Sequence, residues 1–144
     1  MRHHRYRLQG GKPWNSPVAR VYDDELNIYW FSDKSNQHSQ NIRENEDVFI
    51  VIYDSTAPWG ESEGVYIEAK AYELTDPDEI TKVRRIKKGP DYNGSPDEFS
   101  GEAIRRVYKA VPQRVWMNDA GVKDDVFVRD YRVELSLDEL RNML

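Results

Sequence analysis

Apolar residues along this chain come in short runs separated by polar clusters, the spacing of a protein made mostly of strands. Residues 15–22 and 26–32 read as extended, rich in Val, Ile, Tyr, Trp and Phe, with Asp23-Asp24-Glu25 between them as a polar turn. Val48-Phe49-Ile50-Val51-Ile52-Tyr53 is a continuous apolar run, and its length and β-branching predict a central strand buried on both faces. Over residues 65–72 the alternation is strict. Val65, Ile67, Ala69 and Ala71 point one way and Tyr66, Glu68, Lys70 and Tyr72 the other, which predicts a half-buried strand. Two closing strands are expected at 111–118 and 126–135, joined by a polar turn holding Asp119 and Gly121. Residues 1–12 read as either an arm or a partial first strand, ending in a Gly10-Gly11 turn.

Helical grammar is confined to a few places. Residues 33–46 are polar almost throughout, with Ile42 the only aliphatic anchor, so a helix there is short and lies on the surface. Asp76-Pro77-Asp78-Glu79 combines a capping Asp, Pro at the first helical position and Glu three residues after the cap, predicting a helix to Lys88 that stops at Gly89-Pro90. Ser95-Pro96-Asp97-Glu98 repeats that grammar, and Phe99, Ala103 and Val107 with Ile104 and Tyr108 give a helical stripe behind it. From Ser136, the spacing of Leu137, Leu140 and Leu144 predicts a short terminal helix.

A run of strands, a helical excursion and a closing hairpin predict a mainly β fold, an antiparallel β-barrel with a few peripheral helices, with residues 1–144 as a single domain. The absence of cysteine removes disulfides and thiolate zinc sites from consideration and agrees with a cytoplasmic protein. A formal charge of -5, from 21 basic and 26 acidic residues, argues against general nucleic-acid binding. No apolar run approaches the roughly 20 residues of a membrane span, and Met1 to Arg7 lacks the apolar stretch of a signal peptide.

The segment richest in candidate chemistry is Phe31 to Ile42, where a strand gives way to a polar helical turn. Ser35 is a plausible N-cap, and a helix start of this kind offers free N–H groups to an anion such as a phosphate. Ser32, Ser35, Gln37 and His38 can add side-chain donors; the plainer reading is a solvated polar loop. Upstream, Pro13-Trp14-Asn15-Ser16-Pro17-Val18 fixes the backbone and exposes main-chain groups at a strand entry.

These two motifs come in a recognisable order. Pro13 to Val18, then Ile28-Tyr29-Trp30-Phe31-Ser32, then His38-Ser39-Gln40-Asn41-Ile42 with Asn45, the 48–53 run, the 64–71 strand and Arg114-Val115-Trp116-Met117-Asn118 together resemble the pyridoxamine 5′-phosphate oxidase-like FMN-binding proteins. The resemblance covers residues 11–136 and implies an antiparallel split barrel, a homodimer, and FMN at the subunit interface. It places the FMN phosphate at the strand-to-helix step, with Ser32 as the strand-end hydroxyl, Ser35 at the helix start, and either Lys34 or an arginine of the other subunit to make up for weaker charge at positions 37 and 38. Gln37 and His38 stand where the family usually carries Arg and Lys; one is neutral and the other only partly charged near neutrality. Asn15, Ser16, Pro17 and Val18 would line the flavin ring, Phe31 would belong to the cofactor site as the neighbour of Ser32, and Tyr53, Asp54 and the loop to Trp59 would approach across the interface. Trp116 would stack on the ring or close the pocket, unless it is simply a buried aromatic of the closing hairpin. Only 12 residues precede Pro13, where family members carry a helix and a strand, so either residues 3–9 form the first strand or the barrel lacks one.

The function implied is an FMN-dependent oxidoreductase acting on a small-molecule substrate or a reduced nicotinamide, with no catalytic residue assigned. The alternative is a non-catalytic module holding a flavin, a deazaflavin or haem. Other motifs carry less. Gly60-Glu61-Ser62-Glu63-Gly64 has the G-x-S-x-G spacing of a hydrolase nucleophile but is followed by a strand pattern rather than a helix. His3, His4 and His38 lack the spacing of a metal site. Lys82, Arg84, Arg85, Lys87 and Lys88 spread around a helix circumference and read as a solvated helix end.

Overall fold

The longest strand organises the sheet, and its neighbours change along its length. The computed structural model describes residues 2–7, 12–58, 61 and 63–144. Its strands are β1 (Arg2–Arg7), β2 (Pro13–Pro17), β3 (Arg20–Tyr22), β4 (Ile28–Asp33), β5 (Asp47–Tyr53), β6 (Gly64–Glu73), β7 (Arg105–Lys123) and β8 (Val126–Leu135). The helices are α1 (Gln37–Glu44), α2 (Pro77–Lys88) and α3 (Leu137–Asn142), with a single 3-10 turn at Pro96–Phe99. The sheet order is β2-β1-β5-β6-β7-β4-β3, and β8 also pairs with β7. Every described pairing is antiparallel. β7 lies along β6 on one edge; its other edge takes β4 over Arg105–Ala110 and β8 over Val115–Lys123. The first strand is therefore present, as Arg2–Arg7, between β2 and β5. The expected Gly10-Gly11 turn lies outside the described residues.

Two apolar clusters hold this arrangement. Inside the barrel, Ile28 and Trp30 of β4 meet Val48 and Ile50 of β5, Ile67, Ala69 and Ala71 of β6, and Tyr108, Ala110 and Val115 of β7, with Ile42 of α1. Trp30 stacks on Tyr108 with ring centroids 5.6 Å apart. Outside it, Tyr29 and Val107 pack under Ile80 and Val83 of α2 and Phe99 of the 3-10 turn. β4 and the stretch of β7 paired with it are thus buried on both faces. β5, expected to be so, buries Val48 and Ile50 but leaves Phe49, Val51 and Tyr53 half-exposed, because α2 covers β4 and β7 instead.

Local signals decided the helices unevenly. Asp76 caps α2 by accepting from the Asp78 N–H, as its sequence requires. Ser95 caps in the same way, but the helix expected behind it stops after one 3-10 turn. Gly101 takes φ 55 there, and the next residues pair with β4, so Val107 and Tyr108 lie on opposite faces of a strand rather than on one helical stripe. The expected turn at Asp119 and Gly121 is strand as well. The reversal falls at Asp124 and Asp125, with φ 53 and 59, the left-handed pair a two-residue hairpin requires. Gly121 instead marks a register shift between β7 and β8.

The β3–β4 reversal is built on one buried carboxylate. Asp23 accepts from the Glu25 and Asn27 N–H groups, from Asn27 Nδ2 and, at 2.8 Å, from the buried Tyr29 hydroxyl. Burial alone would raise its pKa, but the donors from Asn27 and Tyr29 and the nearby Lys82 outweigh that and hold it low. Asp23→Ala leaves the Tyr29 hydroxyl without its partner and is expected to destabilise the fold by about 2–3 kcal/mol in chemical denaturation. A lowered carboxylate pKa gives stability that is full above the ordinary value of about 4 and lost as pH falls through the lowered one. The gap between wild type and Asp23→Ala should therefore narrow below about pH 4.

Candidate functional site

Alternation along β4 fixes the chemistry at its end. Trp30 and Ser32 point into the barrel while Tyr29 and Phe31 point out beneath α2. Phe31 meets Phe99 edge-on at 5.2 Å, with Lys87 Nζ 4.4 Å from its ring centroid, so it stands on the opposite face of β4 from Ser32. Beyond Ser32, Asp33 Oδ1 accepts from both the N–H and the hydroxyl of Ser35 at 2.7 Å. Ser35 is used up in that turn, and the N-cap position falls to Asn36, which makes no side-chain cap. Its carboxamide Nδ2 reaches back instead to Ser32 Oγ at 3.0 Å, and His38 Nε2 lies 2.6 Å from the same oxygen. Ser39 Oγ donates to the Asp33 carbonyl and pins the start of α1.

α1 is short, as expected, but it does not lie on the surface. His38, Ser39, Asn41 and Ile42 are all buried, and the helix rests against β1, β2 and β6. Its polar residues are tolerated inside because they bond to one another and to the turn. Asn41 Oδ1 accepts from the otherwise exposed Gln37 carboxamide at 2.9 Å, while Asn41 Nδ2 is buried with no hydrogen-bond partner among the described residues. Burial lowers the pKa of His38 and favours its uncharged ring. Lys34 turns to the far side of α1, into an open cleft.

The register places the second half of the expected site on the outer face of the sheet. Through β1, Pro17 of β2 stands in line with Val51, Tyr66 and Trp116, and Asn15 with Phe49, Glu68 and Arg114. Tyr53 shares the parity of Phe49 and Val51. Ser16 falls on the opposite face, and its hydroxyl accepts from the Trp14 indole N–H at 3.0 Å. Val18 packs against the barrel core. Trp116 is half-exposed rather than buried in the hairpin, stacked on Phe49 at 6.2 Å with the Arg114 guanidinium 4.7 Å from its ring. Arg132 lies 3.8 Å from the Tyr66 ring centroid, closing a row of aromatics and arginines. Trp59 and Ser62 lie outside the described residues; the next strand begins at Gly64.

Ser32 and His38 are therefore in direct contact and β2 lies beside their helix, whereas Phe31 stands apart and Trp116 faces away through the sheet. Asn36 and Asn41 were not among the expected site residues, although Asn41 stands in the His38–Ile42 motif. The signal was available, since Asn41 stands three residues after His38 beside the apolar Ile42, on one helical face.

Sequence comparison finds no matching family model and no matching curated protein. Solved structures do match. A Listeria innocua protein provisionally called a pyridoxamine 5′-phosphate oxidase superposes with a TM-score of 0.60 at 19% identity, over 79% of this chain and 84% of that one. The chain has the fold of the pyridoxamine 5′-phosphate oxidase-like split barrels. A FAD-binding protein from Mesorhizobium loti shares it at a TM-score of 0.59 and 17% identity, over 81% of this chain and 83% of that one. A haem-binding protein from Mycobacterium smegmatis matches at 0.66 and 16% identity over 98% of this chain, which spans 54% of that protein. Among the described residues no helix of the split barrel is long and apolar enough to cross a membrane.

The buried His38 gives a direct test of the geometry at the strand end. In the free protein its ring should titrate below about 6.5 when followed by NMR. Because the unfolded chain then takes up the proton more readily, stability should fall as pH drops from about 6.5, and His38→Gln should flatten that part of the profile.

Proposed function

We propose that this protein binds FMN between two copies of the chain and serves as a flavin oxidoreductase, in a cytoplasmic setting. The observation that carries this reading is the convergence of Asn36 Nδ2 and His38 Nε2 on Ser32 Oγ, at a helix start whose first N–H groups have no side-chain cap. A phosphate is the anion that these donors would suit. It would take the Ser32 hydroxyl, the first-turn N–H groups and the His38 ring, and the unpartnered Asn41 Nδ2 marks further donor capacity behind them. Gln37 in its present rotamer is spent on Asn41, so this chain would anchor the anion with less formal charge than an Arg/Lys pair supplies.

The outer face of β5, β6 and β7 supports the paired arrangement. Phe49, Tyr66 and Trp116 leave a half-exposed aromatic surface there, and the β7–β8 arm adds exposed Val126, Phe127 and Val128. Aromatic residues edged by arginines are typical of protein interfaces. Asn15 and Pro17 share that face and would orient the ring system and exclude water from it. When bound, the isoalloxazine would supply the electron transfer to or from a small molecule or a reduced nicotinamide. A second reading, a module that holds haem or flavin without turnover, draws on the neutral His38–Ser32 pair and the haem-binding relative in fold.

Absorbance spectra after FMN titration and gel filtration test the main reading. About one flavin per chain should be retained, and a colourless protein at saturating FMN would sink it. Ser32→Ala is expected to weaken FMN roughly 10- to 100-fold, the loss of one hydrogen bond to a charged group, and His38→Lys should strengthen it. Turnover of a reduced nicotinamide with an added acceptor separates the oxidoreductase from the holding module. Sedimentation should give a dimer, and Phe49→Glu with Trp116→Glu a monomer that no longer retains flavin.

A further inference from the structure

On the far side of α1 from the buried His38, a cleft of about 590 Å³ opens between the β4–α1 turn, the exposed face of the helix, the end of β6 and the start of β7. Lys34, Arg43 and Arg106 line it together with Gln40, Glu44 and Glu73. Ser35 lines it as well, so Lys34 and Ser35, both expected beside the cofactor phosphate, face this cleft, whereas Ser32, Asn36 and His38 do not line it; Arg106 stands directly opposite Ser32 in the β4–β7 ladder.

Arg106 is the unusual member. Its residue is only 8% exposed, one of its N–H groups donates to the Gly101 carbonyl, and its buried Nε has no hydrogen-bond partner among the described residues. The nearest carboxylate, Glu73, holds Oε2 3.7 Å from that nitrogen, close enough to attract but too far to bond. The same Glu73 lies 3.9 Å from Arg43 on its other oxygen and there accepts from the Tyr108 hydroxyl at 3.2 Å. One carboxylate thus stands between two guanidiniums and saturates neither. Arg43 is itself fixed, donating to the Lys34 carbonyl. A desolvated guanidinium with unused donors is costly, and an ionic acceptor relieves it with bonds about twice as strong as neutral ones. The volume is that of a small-molecule site.

We propose that this cleft binds a small-molecule anion, a carboxylate or a phosphate monoester, clamped between Arg43 and Arg106 with Lys34 as the outer charge. Gln40 and Glu44 on the helix rim accept from a hydroxyl or amine of the same ligand. The site uses none of Ser32, Asn36 and His38, so its test is separable from that of the flavin reading.

Isothermal titration of the full chain with inorganic phosphate, and separately with succinate, tests this. Saturable binding of either is expected, the stronger of the two identifying the anion class. Arg43→Gln and Lys34→Gln, both at accessible positions, should each weaken it at least tenfold, and Arg106→Gln should abolish it while circular dichroism reports a folded protein. Ser32→Ala should leave it unchanged. Binding that ignores Arg43→Gln and Lys34→Gln, binding removed by Ser32→Ala instead, or no saturable binding of either anion would overturn the proposal.

Discussion

The fold depends on one edge of one strand serving two partners in turn. β7 runs for 19 residues, and on the edge away from β6 it gives Arg105–Ala110 to β4 and Val115–Lys123 to β8. Between the two stands Pro112, which has no N–H to contribute to a ladder, opposite Ala69 where the β6 pairing shifts register. The interruption keeps β4 and β8 from running into one another. It lets β4 turn both faces into apolar clusters while β8 continues as an exposed arm.

That division dictates the placement of α1. Since β4 ends where the barrel does, the chain leaves it at Ser32 with the hydroxyl still facing inward, and the helix must start against the barrel end rather than out in solvent. Polar residues occupy positions that in most helices are aliphatic, and they are tolerated because Asp33, Ser35, Asn36 and Ser39 bond among themselves and to Ser32 around the turn. The two sides of this eight-residue helix then differ sharply: a neutral, buried network on one and a charged, open cleft on the other.

Much of this was legible in the residues themselves. Asp76-Pro77 specified a helix start, the 65–72 alternation specified a half-buried strand, and the order of motifs from Pro13 to Trp116 pointed to the split barrel. The failures share a cause. Phe99, Ala103 and Val107 satisfy a helical period, and Val107 with Tyr108 satisfies a strand buried on both sides equally well; only the pairing with β4, far away in sequence, decides between them. Asp124-Asp125 and Asp119 are alike in composition, and it is the long pairing of β7 with β8 that puts the reversal at the later pair. Arg106 looks like any surface arginine until the barrel closes over it. Of the candidate site, the Ser32–His38 contact could be anticipated from a strand end and a helix start, whereas the outward turn of Phe31 required knowing which face α2 covers.

The shared edge of β7 also sets where this chain can change length. Residues added at Asp124-Asp125 extend the arm beyond the barrel and alter no pairing upstream of the hairpin tip. A single residue added between Ala110 and Val115 would swap inward and outward for the remainder of the strand, sending Val115 out of the core and Trp116 into it. The arm can therefore drift in length and sequence while the barrel half of the same strand stays locked, which leaves the arm free to diversify what the protein touches without disturbing what it holds.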